Sequence, residues 1–156
     1  MYIDGYNVLR KIPRFEKLLR SDGDAARRRF VEFVAAHDAV RKYAATYIVF
    51  DGHGEPISSG IRIRVIFANT RTADSWIKLK IEGEKNTRNT LVVSSDHEVQ
   101  NNARACGASI LRAEDFLNSR QDRESHDNEE SYKEQNVSPD EIQFWLDEFS
   151  SPKKPE

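Results

Sequence analysis

The sequence predicts an α/β fold: a central, mostly parallel sheet between two layers of helices. Three observations predict it. Short apolar, β-rich runs recur along the chain, segments with helical spacing separate them, and helix-capping residues stand just after several of the runs. Strands that alternate with helices in this way pair in parallel, and both faces of the sheet are then covered.

The elements follow in order. Met1 to Asp4 reads as a first strand, and Gly5-Tyr6-Asn7 as the turn after it. A basic segment runs from Arg10 to Arg20, with Pro13 suited to a helix start. Asp22 or Asp24 can cap a longer helix reaching about Tyr43, whose Ala26, Phe30, Phe33, Val34 and His37 share one face. Arg27, Arg28 and Arg29 fall in its first turns, the unfavourable end of the dipole for cations, so something other than helix stability accounts for them. Tyr47 to Phe50 is a second strand, ending at Asp51 and broken by Gly52-His53-Gly54. Ile61 to Phe67 alternates Ile61, Ile63 and Val65 with Arg62 and Arg64, a strand with one more exposed face. Thr72 to about Glu82 reads as a helix, and Thr90 to Ser94 as a buried strand. Ser95-Asp96-His97-Glu98 has the form of a capping box, which gives Glu98 a capping role, and Gly107 stops that helix. Ser109 to Leu111 is a last strand, and Ala113 to Leu117 a last helical turn.

The 156 residues fit one domain, 1–117, with a tail. Residues 118–137 are almost wholly polar and read as a flexible acidic linker. Residues 138–149 open with a second capping box, Ser138-Pro139-Asp140-Glu141. They carry a stripe of Ile142, Trp145, Leu146 and Phe149, an amphipathic helix expected to dock on the domain. Residues 1–117 hold 19 Lys and Arg against 15 Asp and Glu, a net +4, whereas residues 118–156 hold 5 against 11, a net −6. A mildly basic body permits phosphate binding, although a solvated surface accounts for the same numbers. No apolar run approaches a membrane span, and the N-terminus does not look like a secretory signal. The single cysteine, Cys106, allows no intrachain disulfide and suits a reducing compartment, so a cytoplasmic location is expected.

The acids carry the chemistry. Asp4 ends the first strand, Asp51 ends the second, and Asp74 and Asp96 stand at helix starts just after the third and fourth. In a parallel sheet all strand C-termini lie on one edge, where ligands bind, so four carboxylates converge on one crevice. Unneutralised, they would repel one another, and divalent Mg²⁺ or Mn²⁺ with oxygen ligands is the usual remedy. Such ions activate water and stabilise a leaving oxygen, which points to metal-assisted phosphodiester hydrolysis. Each acid also has a plain structural reading: Asp74 and Asp96 as helix caps, Asp4 and Asp51 as turn residues. Asn7 would either orient a metal-bound water or tie down the Asp4 turn.

Several of these segments resemble the YacP-like branch of NYN domains, a PIN-related nuclease family. They are Met1-Tyr2-Ile3-Asp4-Gly5-Tyr6-Asn7-Val8, Val49-Phe50-Asp51-Gly52-His53, Thr72-Ala73-Asp74 with Ile77, and Ser95-Asp96 with Gln100 and then Gly107-Ala108. The basic position near Arg27 and Arg28 and the closing Trp145 and Phe149 fit the same pattern. The resemblance implies a PIN-like (Rossmann-like) three-layer fold, a divalent-metal site and endonucleolytic cleavage of RNA. It carries metal or catalytic roles onto Asp4, Asp74 and Asp96, with Asn7 and Asp51 in support. Arg27, Arg28, Arg71 and Lys78 are the expected phosphate-facing cations, with His53 and Gln100 as further substrate contacts. A member of the family cuts messenger RNA on the ribosome, so a ribosome-linked substrate is one implication. Three other readings stay open: a non-catalytic RNA- or ribosome-binding module, the toxin of a toxin–antitoxin pair, and a phosphatase with Asp4 as nucleophile. The last lacks its second Asp, because position 6 is Tyr.

Overall fold

A computed structural model describes residues 1–119. Five strands, β1 (Tyr2–Asp4), β2 (Thr46–Phe50), β3 (Ile63–Phe67), β4 (Leu91–Val93) and β5 (Ser109–Leu111), form one sheet in the order β3-β2-β1-β4-β5. Every pairing is parallel. β1 is central, so the chain winds outward from it in two directions: first to β2 and β3, then across to β4 and β5. This reversal beside the central strand is the place where open α/β sheets leave a crevice.

Side-chain alternation divides the strands between two cores. Ile3, Ile48, Phe50, Ile63 and Val93 face one side, and Tyr2, Val49 and Val92 the other. The first side is covered by α2 (Pro13–Ser21) and α3 (Gly23–Ala35), together with α1 (Gly5–Leu9), α4 (Asp38–Arg41) and a final helix, α7 (residues 113–119). Its centre is aromatic: Phe30 lies edge-on to Phe15 and Phe50, and Phe50 stacks on Phe67. The second side is covered by α5 (Ala73–Glu82) and α6 (His97–Ala105), through Ala73, Ile77, Ile81, Val99 and Ala103. The fold is therefore the expected three-layer α/β arrangement, with an all-parallel sheet.

Local differences from the sequence expectation have identifiable causes. Gly5 to Leu9 is a short helix rather than a turn, because the Asp4 carboxylate accepts the Asn7 backbone N–H at 3.2 Å and caps it. The long helix stops at Ala35, not near Tyr43. His37 breaks it by capping α4, its Nδ1 accepting the Ala39 N–H, while its buried Nε2 donates to the Phe116 carbonyl at 2.9 Å. Asp22 does cap α3. The α6 cap is Asp96, which accepts the N–H groups of Glu98 and Val99, and not Ser95. Asn118 and Ser119, read as the start of the linker, lie within α7. The rest of the proposed linker and the proposed helix at 138–149 lie outside the described residues. No helix among the described residues is long and apolar enough to cross a membrane.

Gly5 shows how tightly β1 turns into α1. A Cβ there would sit 2.5 Å from the Phe50 ring and 2.9 Å from the Val49 carbonyl. Gly5→Ala should lower unfolding stability by about 1–3 kcal/mol, read as a lower urea midpoint at unchanged slope.

Candidate active site

Four acids stand at the C-terminal edge of the sheet, and three of them also hold a helix. Asp4 caps α1 from the end of β1. Asp51, just beyond β2, accepts the Ala73 N–H at 2.7 Å and so secures the first residue of α5 from another part of the chain. Asp96, beyond β4, caps α6. Asp74 differs. The cap of α5 is Thr72, whose Oγ1 accepts the Ser75 N–H at 3.1 Å, and Asp74 caps nothing. The cap reading therefore accounts for Asp4, Asp51 and Asp96 and leaves Asp74 without a structural task.

The acids act on one another through their charges. Asp4 is 5% exposed. Burial pushes its carboxyl up to about 7, reinforced by the charges of Asp74 and Asp51 and by a hydrogen bond shared with Asp74, while the Asn7 N–H opposes the shift. Asp74 is also raised, first by burial and then by Asp96, with Asp51 adding to it. Both carboxyls of the pair are therefore pushed upward, and burial is the first cause for each. Lys78, one turn along α5, is the cation that lowers Asp74.

Among the described residues no three His, Cys, Asp or Glu side chains are gathered as a ready-made ion site. What exists is a pair of carboxyls, Asp4 and Asp74, each pushed upward, with two further carboxylates near enough to act on it. That donor set suits a hard divalent ion, since magnesium commonly binds through one or two carboxylates and keeps several waters. A cation held by Asp4 and Asp74 would offset the repulsion that helps to raise Asp4.

A network not apparent in the sequence fixes the geometry. Ser94, buried at the end of β4, donates from Oγ to Asp4 Oδ2 at 3.3 Å and accepts the Asp96 N–H at 3.1 Å. The Asn7 side-chain oxygen accepts the Ser95 N–H at 2.9 Å, tying α1 to the loop that carries Asp96. Ser95 Oγ donates to Glu114 and accepts the Ala113 N–H at 3.1 Å. Glu114 is held at about 2 by the Lys11 ammonium, 2.8 Å away, and by the Ser95 hydroxyl. A Ser at a strand end is a signal that sequence reading could have used. Glu114 offered none, because its partners are distant in sequence.

The expected substrate contacts divide. Lys78 lies beside Asp74 and pairs with Glu98 at 3.2 Å, which gives Glu98 an ion-pair partner in place of the expected capping box. Arg27 is largely covered and pairs with Asp24. It donates to Tyr6 Oη at 2.7 Å and lies over the Phe67 ring. Its Nε is buried without a partner among the described residues. Arg28, Arg71 and His53 are exposed. Gln100 is buried, and its amide donates to the Ser94 carbonyl at 2.8 Å, behind the acids. Two surface grooves, of about 480 and 550 Å³, are lined by other residues than the four acids.

A parallel sheet with acids at its C-terminal edge defines an α/β domain with an acidic ligand-binding edge. The YacP-like NYN domain matches residues 1–150, and the chain belongs to that family, which makes it a nuclease-type, RNA-related fold. Among solved structures it is similar to Rae1 (YacP) from Bacillus subtilis, at TM-score 0.67 and 23% identity over 95% of this chain and 88% of that one. A point mutant of the same protein gives TM-score 0.66 and 22% identity over 87% and 84%. At these identities the likeness is one of fold. No curated protein sequence matches the chain.

The raised Asp4 makes stability depend on pH. Unfolded Asp ionises near 3.9, whereas folded Asp4 keeps its proton to about 7. Across that window the folded state binds more protons, so stability should fall as pH rises from about 4 to 7 and then level off. Asp4→Asn, which keeps the cap, should flatten the slope and be more stable than wild type by about 1–3 kcal/mol at pH 8. Urea titrations with a chelator present, at several pH values, measure this.

Proposed function

We propose that the protein is a divalent-metal-dependent endoribonuclease that hydrolyses phosphodiester bonds of single-stranded RNA, with Mg²⁺ or Mn²⁺ as cofactor. The observation that carries the reading is Asp74: a half-buried carboxyl with no cap to make, set near enough to the buried Asp4 that its charge helps to push Asp4 up. Family membership supports RNA as the substrate. The resemblance noted in the sequence further suggests messenger RNA on the ribosome, and the lone Cys106 suits the cytoplasm.

In this reading Asp4 and Asp74 would hold the ion as carboxylates, with Asp96 and Asp51 adding negative charge near it. A divalent ion bound there supplies a nucleophilic water at neutral pH and offsets charge on the phosphate. Ser94 and Asn7 keep Asp4 aimed by bonding both of its oxygens, Ser94 through its hydroxyl and Asn7 through its backbone. Gln100 holds the Ser94 backbone rather than the substrate. Lys78 is the cation placed to meet a phosphate at the acids, and it can release Glu98 to do so because their pair is exposed on the Glu98 side. Exposed Arg28, Arg71 and His53 are available to flanking phosphates. Arg27, already committed to Asp24 and Tyr6, braces α1 against α3.

Labelled single-stranded RNA, naked and loaded on translating ribosomes, tests the proposal with each metal in turn. Wild type should cut internally, a chelator should stop it, and Asp74→Asn should cut about 100-fold or more slowly with its fold intact. Cutting that survives the chelator and the substitution overturns the metal mechanism. A folded protein that cuts in no condition overturns the nuclease reading and leaves a non-catalytic RNA-binding module.

A further inference from the structure

The face of the sheet under α5 is only partly covered. α5 packs chiefly over β1 and β2, and on the outer strand β3 Ile66 is only partly covered while Arg64 is exposed. Between α5 and β3 runs the groove of about 550 Å³. Its walls are aromatic and basic. Tyr47 on β2 stacks on Tyr2 at 5.2 Å between ring centroids, and Trp76 of α5 stands 6.3 Å from Tyr47. Arg64, paired in register with Tyr47, places its guanidinium 5.9 Å over that ring, and Lys80 sets its ammonium 5.2 Å over Trp76.

Neither cation has a carboxylate partner among the described residues; each rests on a ring. The acid in the groove, Glu84, is engaged at both oxygens, accepting from Tyr2 Oη at 2.5 Å and from Thr90 Oγ1 at 2.7 Å. The groove thus offers two half-buried rings, each under an exposed cation that has no anion, and a ring face opens to a base as its cation swings off to a phosphate. A polyanion with flat apolar groups satisfies both, and single-stranded RNA is such a ligand: bases stack on aromatic faces while phosphates meet Lys and Arg.

Position strengthens the match. Asp74 and Lys78 sit on the flank of α5 toward the acids, whereas Trp76, Lys80 and Gly83 follow at helical spacing on the flank toward the groove. Asp74 and Lys80 are six residues apart, about 9 Å along the helix axis. We propose that this groove is a second RNA-binding site, in which Tyr47 and Trp76 stack bases and Arg64 and Lys80 hold phosphates of nucleotides flanking the one cut at the acidic edge. It rests on the nuclease reading for its choice of RNA.

The test uses the full chain with Trp145→Phe, which leaves Trp76 as the only tryptophan. Uridine and adenosine RNA oligomers of about 12 nucleotides are titrated in chelator, so that no cutting occurs. Trp76 fluorescence should be quenched to saturation by both, with affinity falling steeply as salt rises. Arg64→Glu with Lys80→Glu, both at exposed positions, should weaken binding at least about tenfold and reduce the salt slope. No quenching, or equal affinity in the double variant, overturns the site. Cleavage of the same oligomers with metal restored is scored separately. Cutting by wild type without groove binding sinks the groove and spares the nuclease. Groove binding without cutting sinks the nuclease and leaves an RNA-binding surface.

Discussion

The constraint on which the molecule depends is that all five strands run the same way. A parallel sheet cannot be closed by tight hairpins, so each strand must be followed by a crossover that starts at the same edge. Three helices therefore begin close together with their first N–H groups unpaired, at the places where β1, β3 and β4 end. Acidic side chains are the natural answer to those donors, and Asp4, Asp51 and Asp96 each provide it. The acidic edge is thus partly a by-product of how such a sheet is built.

One carboxylate more than the helices require turns this edge into something else. Asp74 raises the local negative charge beside the buried Asp4, so that burial and mutual repulsion push the Asp4 carboxyl upward. The fold carries this strain because a wide network over-determines the position of each group. Ser94 bonds Asp4 and the Asp96 backbone, Asn7 bonds the next residue, and Ser95 leads on to Glu114 and Lys11. Local destabilisation held by surrounding structure is what a preorganised ion site requires.

What the sequence revealed, and what it did not, follows the range of the forces involved. Strands rich in Val, Ile and Phe, the Asp22 cap and the Pro13 helix start are local signals, and each appears where expected. The placing of the four acids at one edge also followed, because in a parallel sheet topology alone decides it, but among the described residues no three of them close up into an ion site. The failures are long-range. The Ser95 capping pattern was locally sound, but Asn7 and Glu114, distant in the chain, hold Ser95 and leave Asp96 to cap. The helix predicted to reach Tyr43 obeyed helical spacing, but a bond from His37 to Phe116, 79 positions on, ends it early. Arg27 looked like a free cation by its place on the helix, yet Tyr6 and Asp24 claim it.

The central place of β1 has a consequence for the order in which the molecule comes into being. Asp4 lies on the first strand made, whereas Ser94 and Asp96, which complete its surroundings, follow 90 and more positions later. A chain still emerging from its own synthesis can assemble β1, β2 and β3, but the other wall of the crevice does not yet exist. Whatever reactivity the four acids acquire together is withheld until β4 slots in against β1. Strand order therefore acts as a built-in delay, so that the acidic crevice is among the last features of the domain to be completed.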